Sequence, residues 1–301
     1  MDGVAVANAP VSYGAFERTV GIVAGVPEGG AVLDEVAAAG YAGIDLGPVG
    51  YLGSKNGLAA GLQSRGLSLS GGFFQMPFGD RKLMPPALVG LGSLLDVFDE
   101  AASGQGLRPK PTLADIGSDL RRSRPGQAVN NHSLGFDEAG WKAFAVDLEA
   151  AVAVCRDRGY EPTFHPETGT RIEAPWEIEK VLELTSIGLC LDTGHLLVGG
   201  GDPVLAMREW SERINHLHLK DARRSVVQDI IRDAAPVIEI WRRRAFCRLG
   251  EGDVDVEALL DQVRDFYSGW IVVEQDVLPG AHATAVADQR ANRAFLAARG
   301  F

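Results

Sequence analysis

The chain has 301 residues, of which 46% are hydrophobic, and its formal net charge at pH 7 is −11. This composition allows one large buried core, while the negative charge argues against sequence-independent binding to nucleic acid or to an anionic membrane. No apolar run has the length of a membrane span, and the three scattered cysteines suit reduced thiols, so we expect a cytoplasmic protein.

Short apolar segments alternate along the chain with longer segments of helical pattern. The predicted strands begin at Val4, Gly43, Leu67, Pro111, Pro162, Gly188, Ile214 and Trp270. The predicted helices begin at Ala31, Leu58, Pro86, Trp141, Pro175, Asp202 and Val256. Eight strand–helix units predict a (β/α)₈ barrel that forms a single domain over residues 1–301. The alternative, a doubly wound open sheet, would carry a glycine-rich phosphate loop after its first strand, and "NAPVSYGAFE" contains none.

Two segments are longer than a barrel unit requires. Residues 115–140 are polar and rich in Gly and Asn, which predicts a long loop over the top of the barrel. Residues 223–246 predict an extra helix before the last unit. Arg121, Arg122 and Arg124 in the first segment are expected to form a solvated cluster of charges.

Polar side chains lie at the carboxyl ends of the last four predicted strands. Because side chains alternate along a strand, the polar residues of each strand share one face and the apolar residues take the other. The apolar face suits the surrounding helices, so the polar face is predicted to point into the barrel. The inward residues are His165 and Glu167, Cys190 and Asp192, His216, His218 and Lys220, and Glu274 and Asp276.

Carboxylates and imidazoles that converge at this end of a barrel predict a divalent metal site. Mn²⁺ is the expected ion, with Co²⁺, Mg²⁺ and Zn²⁺ as alternatives. The competing interpretation is a network of buried salt bridges and structural histidines. Uncompensated buried carboxylates would cost several kcal/mol, which favours the metal.

Six segments resemble the xylose-isomerase-like barrel superfamily, and within it the inosose dehydratases and related sugar phosphate isomerases/epimerases. In chain order they are "ANAPVSYGAFE", "GYAGIDLGPVGYLG", "CLDTGH", "HLHLKD", "LGEGDVD" and "GWIVVEQD". The resemblance implies a metal held by Asp192, His218 and Glu274, with His195 facing the substrate. It implies Glu167 as the first ligand, with His165 as the alternative or an additional contact.

The activity that the resemblance implies is proton abstraction next to a carbonyl of a keto-sugar or keto-cyclitol, assisted by the metal. Glu167 or Glu274 would remove the proton and the other would return it, which gives isomerisation or epimerisation. The alternative is a dehydratase, in which a β-hydroxyl leaves and His195 protonates it. Lys220 would stabilise negative charge or donate a proton. If His165 is the metal ligand, Glu167 is free to act as the base.

Asn8, Gln75, His165 and Glu251 are predicted to contact the small carbohydrate or cyclitol substrate. Two other classes of function are a metal-dependent endonuclease and a barrel without catalytic activity. The endonuclease needs more histidines than the six present and a basic face, so the acidic composition argues against it. No nucleic acid or membrane partner is expected, and a homo-oligomer is possible because barrels of this kind often pair.

Overall fold

The computed structural model describes residues 3–54 and 57–301, in which nine parallel strands form one sheet that curves into a nearly closed barrel. The strands are β1 (Val4–Asn8), β2 (Gly43–Ile44), β3 (Ser68–Leu69), β4 (Gly71–Met76), β5 (Lys110–Asp115), β6 (Thr163–Phe164), β7 (Gly188–Asp192), β8 (Ile214–Leu219) and β11 (Gly269–Val273). Their spatial order is β3-β2-β1-β11-β8-β7-β6-β5-β4. A separate antiparallel pair consists of β9 (Asp221–Ala222) and β10 (Phe246–Cys247). The predicted barrel is confirmed.

The barrel closes at Ser70, which interrupts the third predicted strand and so divides it into β3 and β4. The Ser70 backbone N–H donates to Ile44 of β2 at 3.0 Å, and its carbonyl accepts from Lys110 of β5 at 3.0 Å. One residue therefore connects the two ends of the sheet. Because β3 and β4 are the two parts of one predicted strand, the nine strands correspond to the eight predicted ones.

Helices surround the barrel, and all seven predicted helical segments overlap helices of the structure. Their bounds are α1 (Gly29–Ala39), α2 (Leu58–Gln63), α3 (Met84–Ala101), α5 (Glu138–Asp157), α6 (Pro175–Leu184), α8 (Pro203–Glu209) and α11 (Val256–Phe266). Shorter helices in the connecting segments are α4 (Asp119–Arg122), α7 (Thr193–Val198), α9 (Arg224–Arg232) and α10 (Ile238–Arg242). No helix of the described residues is long and apolar enough to cross a membrane.

The last helix, α12 (His282–Ala297), is absent from the sequence prediction. Its inner face carries Gln289 and Asn292, which are both buried, so it lacks an apolar stripe that would reveal it. Gln289 accepts a hydrogen bond from Asn8, and Asn292 accepts one from the backbone N–H of Leu249. Hydrogen bonds to the barrel thus take the place of part of the usual apolar contact.

The hydrophobic core lies mainly between the strands and the helices, and a smaller cluster fills the inside of the barrel. Ala7, Ala9, Trp270 and Val272 form the inner cluster. A Cβ atom at Gly43 would lie 2.8 Å from the Trp270 ring, so only glycine leaves room for this indole. The filled interior leaves the carboxyl ends of the strands as the open end.

The two predicted insertions contact each other above this end. The Val237 backbone N–H, from the second insertion, donates to the Arg122 carbonyl of the first at 2.7 Å. The prediction of a solvated arginine cluster is wrong for Arg121, which is buried and bonds to Glu177 at 2.6 and 3.0 Å and to Glu173 at 3.2 Å. Pairing with two carboxylates offsets the cost of removing this guanidinium from water.

Candidate active site and metal centre

A pocket opens at the carboxyl ends of the strands, between the two insertions. Its polar part includes His165, Glu167, His195, His218, Lys220, Glu274 and Asp276. Its apolar part includes Phe16, Ile116, Val237 and Trp241. The carboxyl ends of the strands and the residues that directly follow them therefore supply the polar side chains, and the loops and insertions supply much of the apolar wall.

Four side chains from neighbouring strands converge at the base of this pocket. His165, Asp192, His218 and Glu274 each bring one ligand atom to a group in which all the atoms lie within 4.8 Å of one another. Asp192 Oδ2 lies 3.4 Å from His165 Nε2 and 3.8 Å from His218 Nδ1. His218 Nδ1 lies 3.3 Å from Glu274 Oε2. We refer to these four residues as the ligand cluster.

The donor atoms of the ligand cluster fit a divalent cation. His218 Nε2 and His165 Nδ1 are buried without a hydrogen-bond partner among the described residues, and His218 Nδ1 faces the Glu274 carboxylate. Buried polar atoms are normally partnered, so these imidazoles are suited to binding an ion. Two imidazoles and two carboxylates form a common set for a first-row divalent ion.

The ligand cluster contains His165, the alternative first ligand of the sequence expectation, and does not contain the favoured Glu167. The His165 backbone N–H still bonds in register, to the Leu113 carbonyl of β5 at 2.7 Å. Two residues later the chain has turned, and the Glu167 backbone N–H bonds within its own loop, to Ile172. Strand alternation therefore holds at His165 and fails at Glu167.

Glu167 lines the pocket outside the ligand cluster and accepts a hydrogen bond from Gln75 Nε2 at 3.2 Å. Burial, reinforced by the nearby Asp276 carboxylate, raises the pKa of Glu167 to about 8. A carboxyl group with such a pKa can both accept and return a proton near neutral pH.

In the sequence Asp-Thr-Gly-His at the end of β7, the structure explains the residue type at each of the first three positions. Asp192 Oδ1 accepts from the His195 backbone N–H at 2.8 Å and caps α7, which leaves Oδ2 for the ligand cluster. The Thr193 hydroxyl bonds to the backbone of Lys220 on the next strand. A Cβ atom at Gly194 would lie 2.6 Å from Lys220 Cγ, so glycine makes room for that side chain.

Lys220 is buried beside three carboxylates. Its Nζ lies 3.0 Å from both Asp192 Oδ2 and Glu274 Oε2 and 2.9 Å from Asp276 Oδ1. Burial alone would raise the pKa values of Asp192 and Glu274, but neighbouring positive charge, chiefly from Lys220 at Asp192 and from His218 and Lys220 at Glu274, holds both below their usual range. Lys220 and a protonated His218 supply two positive charges against three carboxylates, so the salt-bridge interpretation still leaves negative charge that a cation would neutralise.

His195 projects into the pocket from α7. Its Nδ1 lies 2.8 Å from the Thr168 hydroxyl and accepts from the Thr168 backbone N–H at 3.4 Å. This contact places the ring proton on Nε2, which lies 3.7 Å from Asp276 Oδ2. Burial, reinforced by the Lys220 charge, lowers the pKa of His195 well below its usual value, so the ring is neutral at pH 7.

Two of the predicted substrate contacts lie outside the pocket. Asn8 is fully buried and donates to the Val273 carbonyl and to Gln289, both at 2.9 Å, so its amide joins β1 to β11 and α12. Glu251 is partly exposed, with ion-pair contacts to Arg248 at 2.6 Å and Arg223 at 3.5 Å.

The "GEGDV" segment owes its position to Asp221 rather than to a substrate contact by Glu251. The Asp221 carboxylate accepts from the backbone N–H groups of Gly250, Gly252 and Val254 at 2.9 to 3.1 Å. A Cβ atom at Gly252 would lie 2.2 Å from Asp221 Oδ1. Both glycines therefore turn their amides toward Asp221.

Sequence reasoning gave no role to two acidic residues of the pocket. Asp45 follows β2, is buried, and accepts from the Ser70 hydroxyl at 2.7 Å. Burial raises the pKa values of Asp45 and Asp276 to about 6. Asp276 was recognisable as an inward residue two positions after Glu274, whereas β2 is too short to show alternation at Asp45.

The barrel, its pocket and the ligand cluster define a (β/α)₈-barrel enzyme. The chain belongs to the xylose isomerase-like TIM barrel family, whose model matches residues 33–297. The resemblance seen in the sequence is thereby confirmed.

Known relatives and solved structures agree with this membership. An inosose dehydratase of Geobacillus kaustophilus is 27% identical over 253 residues, which cover 82% of this chain and 80% of that protein. An inosose dehydratase of Clostridium perfringens is 31% identical over 147 residues, covering 48% of this chain and 50% of that protein. The IolI protein, solved with a bound zinc atom, has a TM-score of 0.70 and 11% identity, and the match covers 99% of both chains. This last likeness shows the fold.

Proposed function

We propose that this enzyme is a divalent-metal-dependent dehydratase that removes water from a keto-cyclitol or a related keto-sugar. The observation that carries the proposal is the position of the Glu167 carboxyl group, which lies in the pocket beside the four-residue ligand cluster but outside it. The similarity to inosose dehydratases supports the same reaction.

The residues that would hold the metal are His165, Asp192, His218 and Glu274. Such an ion supplies Lewis acidity, which polarises the carbonyl of the substrate and makes the neighbouring C–H group more acidic. The second imidazole gives nitrogen half of the donor set, so Zn²⁺ and Co²⁺ suit it as well as the expected Mn²⁺ does.

Glu167 would act as both base and acid. Its ionised form would take the proton next to the carbonyl, and the electron pair of that C–H bond would move toward the carbonyl oxygen to give an enolate. The enolate electrons then form the C=C double bond as the β C–O bond breaks, and Glu167 returns the proton to the departing hydroxyl, which leaves as water. One residue with a pKa near 8 therefore completes the cycle without a second donor.

His195 and Lys220 would position and stabilise the substrate during this step. Neutral His195 presents Nε2–H to the pocket and would donate a hydrogen bond to the departing oxygen, which replaces the acid role expected from sequence. The Lys220 ammonium, placed between the ligand cluster and Asp276, would stabilise the negative charge that develops on the carbonyl oxygen.

Elimination fits the geometry better than the isomerisation or epimerisation that the sequence favoured. The latter reaction was assigned to two bases, Glu167 and Glu274. Glu274 Oε2 lies 3.0 Å from Lys220 Nζ and belongs to the ligand cluster, so it is not free to exchange protons. Of the two predicted bases, only Glu167 remains available.

Incubation with keto-inositols and keto-sugars in D₂O tests the proposal. The Mn²⁺-loaded and Zn²⁺-loaded protein should convert at least one compound into a product lighter by one water. Chelated protein is the control and should give none. An isomer that has gained carbon-bound deuterium, without loss of water, would instead establish epimerisation. Absence of any conversion by the metal-loaded protein across both compound classes would contradict the proposal.

A further inference from the structure

Cys190 lies directly beneath the ligand cluster. It precedes Asp192 by two residues on β7, so both side chains point into the barrel and the sulfur lies one step deeper. The thiol is fully buried, and its Cα is in register with that of His216 on β8. The proposed reaction gives this residue no role.

The sulfur belongs to a second group of potential ligands. Cys190 Sγ and one ring nitrogen each of His165 and His218 lie within 4.8 Å of one another. The same two histidines belong to the ligand cluster, so the two groups share their imidazoles. Carboxylate oxygens from Asp192 and Glu274 complete the upper group, and sulfur completes the lower one.

The shared imidazoles have ring nitrogens to offer to the lower group. His218 Nδ1 and His165 Nε2 face the carboxylates of the upper group, whereas His218 Nε2 and His165 Nδ1 are buried without a hydrogen-bond partner among the described residues. An imidazole has two ligand atoms on different sides of the ring, so one histidine can serve ions at two heights in the barrel.

We propose that Cys190, with His165 and His218, forms a ligand set for thiophilic divalent cations such as Zn²⁺, Co²⁺ and Cd²⁺. On binding, the S–H bond breaks, a sulfur–metal bond forms, and the proton passes to solvent. Thiolate and imidazole suit these ions, whereas Mn²⁺ and Mg²⁺ prefer the carboxylate oxygens above. The inference rests on the cation site of the proposed function, because it shares two of its ligands.

The depth of the sulfur gives this second set a functional consequence. Cys190 does not line the pocket, whereas His218 and Glu274 do. An ion held through sulfur therefore lies farther from the substrate than one held by the two carboxylates. Zn²⁺ and Cd²⁺ should support lower turnover than Mn²⁺, and removal of the thiol should reduce this difference.

The first test uses spectroscopy on the full chain without substrate, so it is independent of the proposed reaction. Cobalt-loaded protein should show a sulfur-to-cobalt charge-transfer band in the near ultraviolet, together with visible bands that report bound Co²⁺. Cys190→Ala should keep the visible bands and lose the ultraviolet band. Cys155→Ser and Cys247→Ser are matched controls, since both thiols are buried elsewhere, and both variants should keep the band.

A second measurement needs no variant. The ¹¹³Cd resonance of the unmodified, cadmium-loaded protein should lie in the range of mixed sulfur and nitrogen ligation. A resonance typical of oxygen and nitrogen ligands alone, or a cobalt spectrum without the ultraviolet band, would overturn the inference. Either result would leave the dehydratase proposal standing, because that depends on turnover by the Mn²⁺-loaded protein.

Discussion

Replacement of Glu167 by Gln distinguishes the two roles that the sequence left open for this residue, metal ligand and general base. The amide keeps the size of the side chain and can still accept from Gln75, but it cannot take up a proton. Because Glu167 lies outside the ligand cluster, Glu167→Gln should keep its metal. Its kcat should fall about 10²- to 10⁴-fold, the usual effect of removing a general acid–base group.

The same substitution should stabilise the metal-free protein. The pKa of Glu167 rises from 4.5 to about 8 on folding, so its contribution to stability is fully present below pH 4.5 and is lost as the pH rises toward 8. The loss is about 1.4 kcal/mol per pH unit, or about 3 kcal/mol at pH 7. Screening by solvent in the pocket reduces this loss of stability to about 1–2 kcal/mol. The glutamine amide does not ionise, so Glu167→Gln avoids the loss and should be more stable by this amount at pH 7.

Three measurements check these expectations: metal content after dialysis, steady-state kinetics, and urea unfolding of chelated protein at pH 5 and pH 7. Glu209→Gln, on the exposed end of α8, is a matched control and should leave all three unchanged. The reasoning would be refuted if Glu167→Gln lost its metal, since Glu167 would then be a ligand. An unchanged kcat would equally exclude its role as base.

Other changes probe the metal and the structure around it. Asp192→Asn should abolish metal binding and turnover with an unchanged circular dichroism spectrum, and retained activity would exclude Asp192 as a ligand. Arg121→Met should lower the free energy of unfolding by about 3–5 kcal/mol, because Glu173 and Glu177 lose their buried partner; urea titration measures this, and a loss below about 1 kcal/mol would contradict it. Removal of the metal by a chelator should lower the melting temperature and stop turnover, and added Mn²⁺ should restore both.

The sequence predicted the fold and three members of the ligand cluster because alternation is reliable in regular strands. Asp192 and His218 lie in strands of five and six residues, and Glu274 directly follows a strand of five. Glu167 was assigned by the same rule, but β6 has only two residues and the chain turns after His165. A short strand therefore limits how far the rule extends.

Residues whose partners are distant in sequence were not predictable. Asn8 was predicted to contact the substrate because its amide lies at the end of a strand. Only the structure shows that this amide is hydrogen-bonded to Gln289. Arg121 reads as solvated because its carboxylate partners lie more than fifty positions away. The alternation of polar and apolar residues predicts which face of a strand a side chain occupies, but it does not predict which group the side chain contacts in the folded protein.

The hydrogen bond between Asn8 and Gln289 joins groups 281 positions apart. One edge of β1 likewise pairs with β11, which begins at Gly269, so this edge stays open until translation is nearly complete. An unpaired strand edge of this kind can pair with other polypeptides. Chains that end before β11 should therefore aggregate.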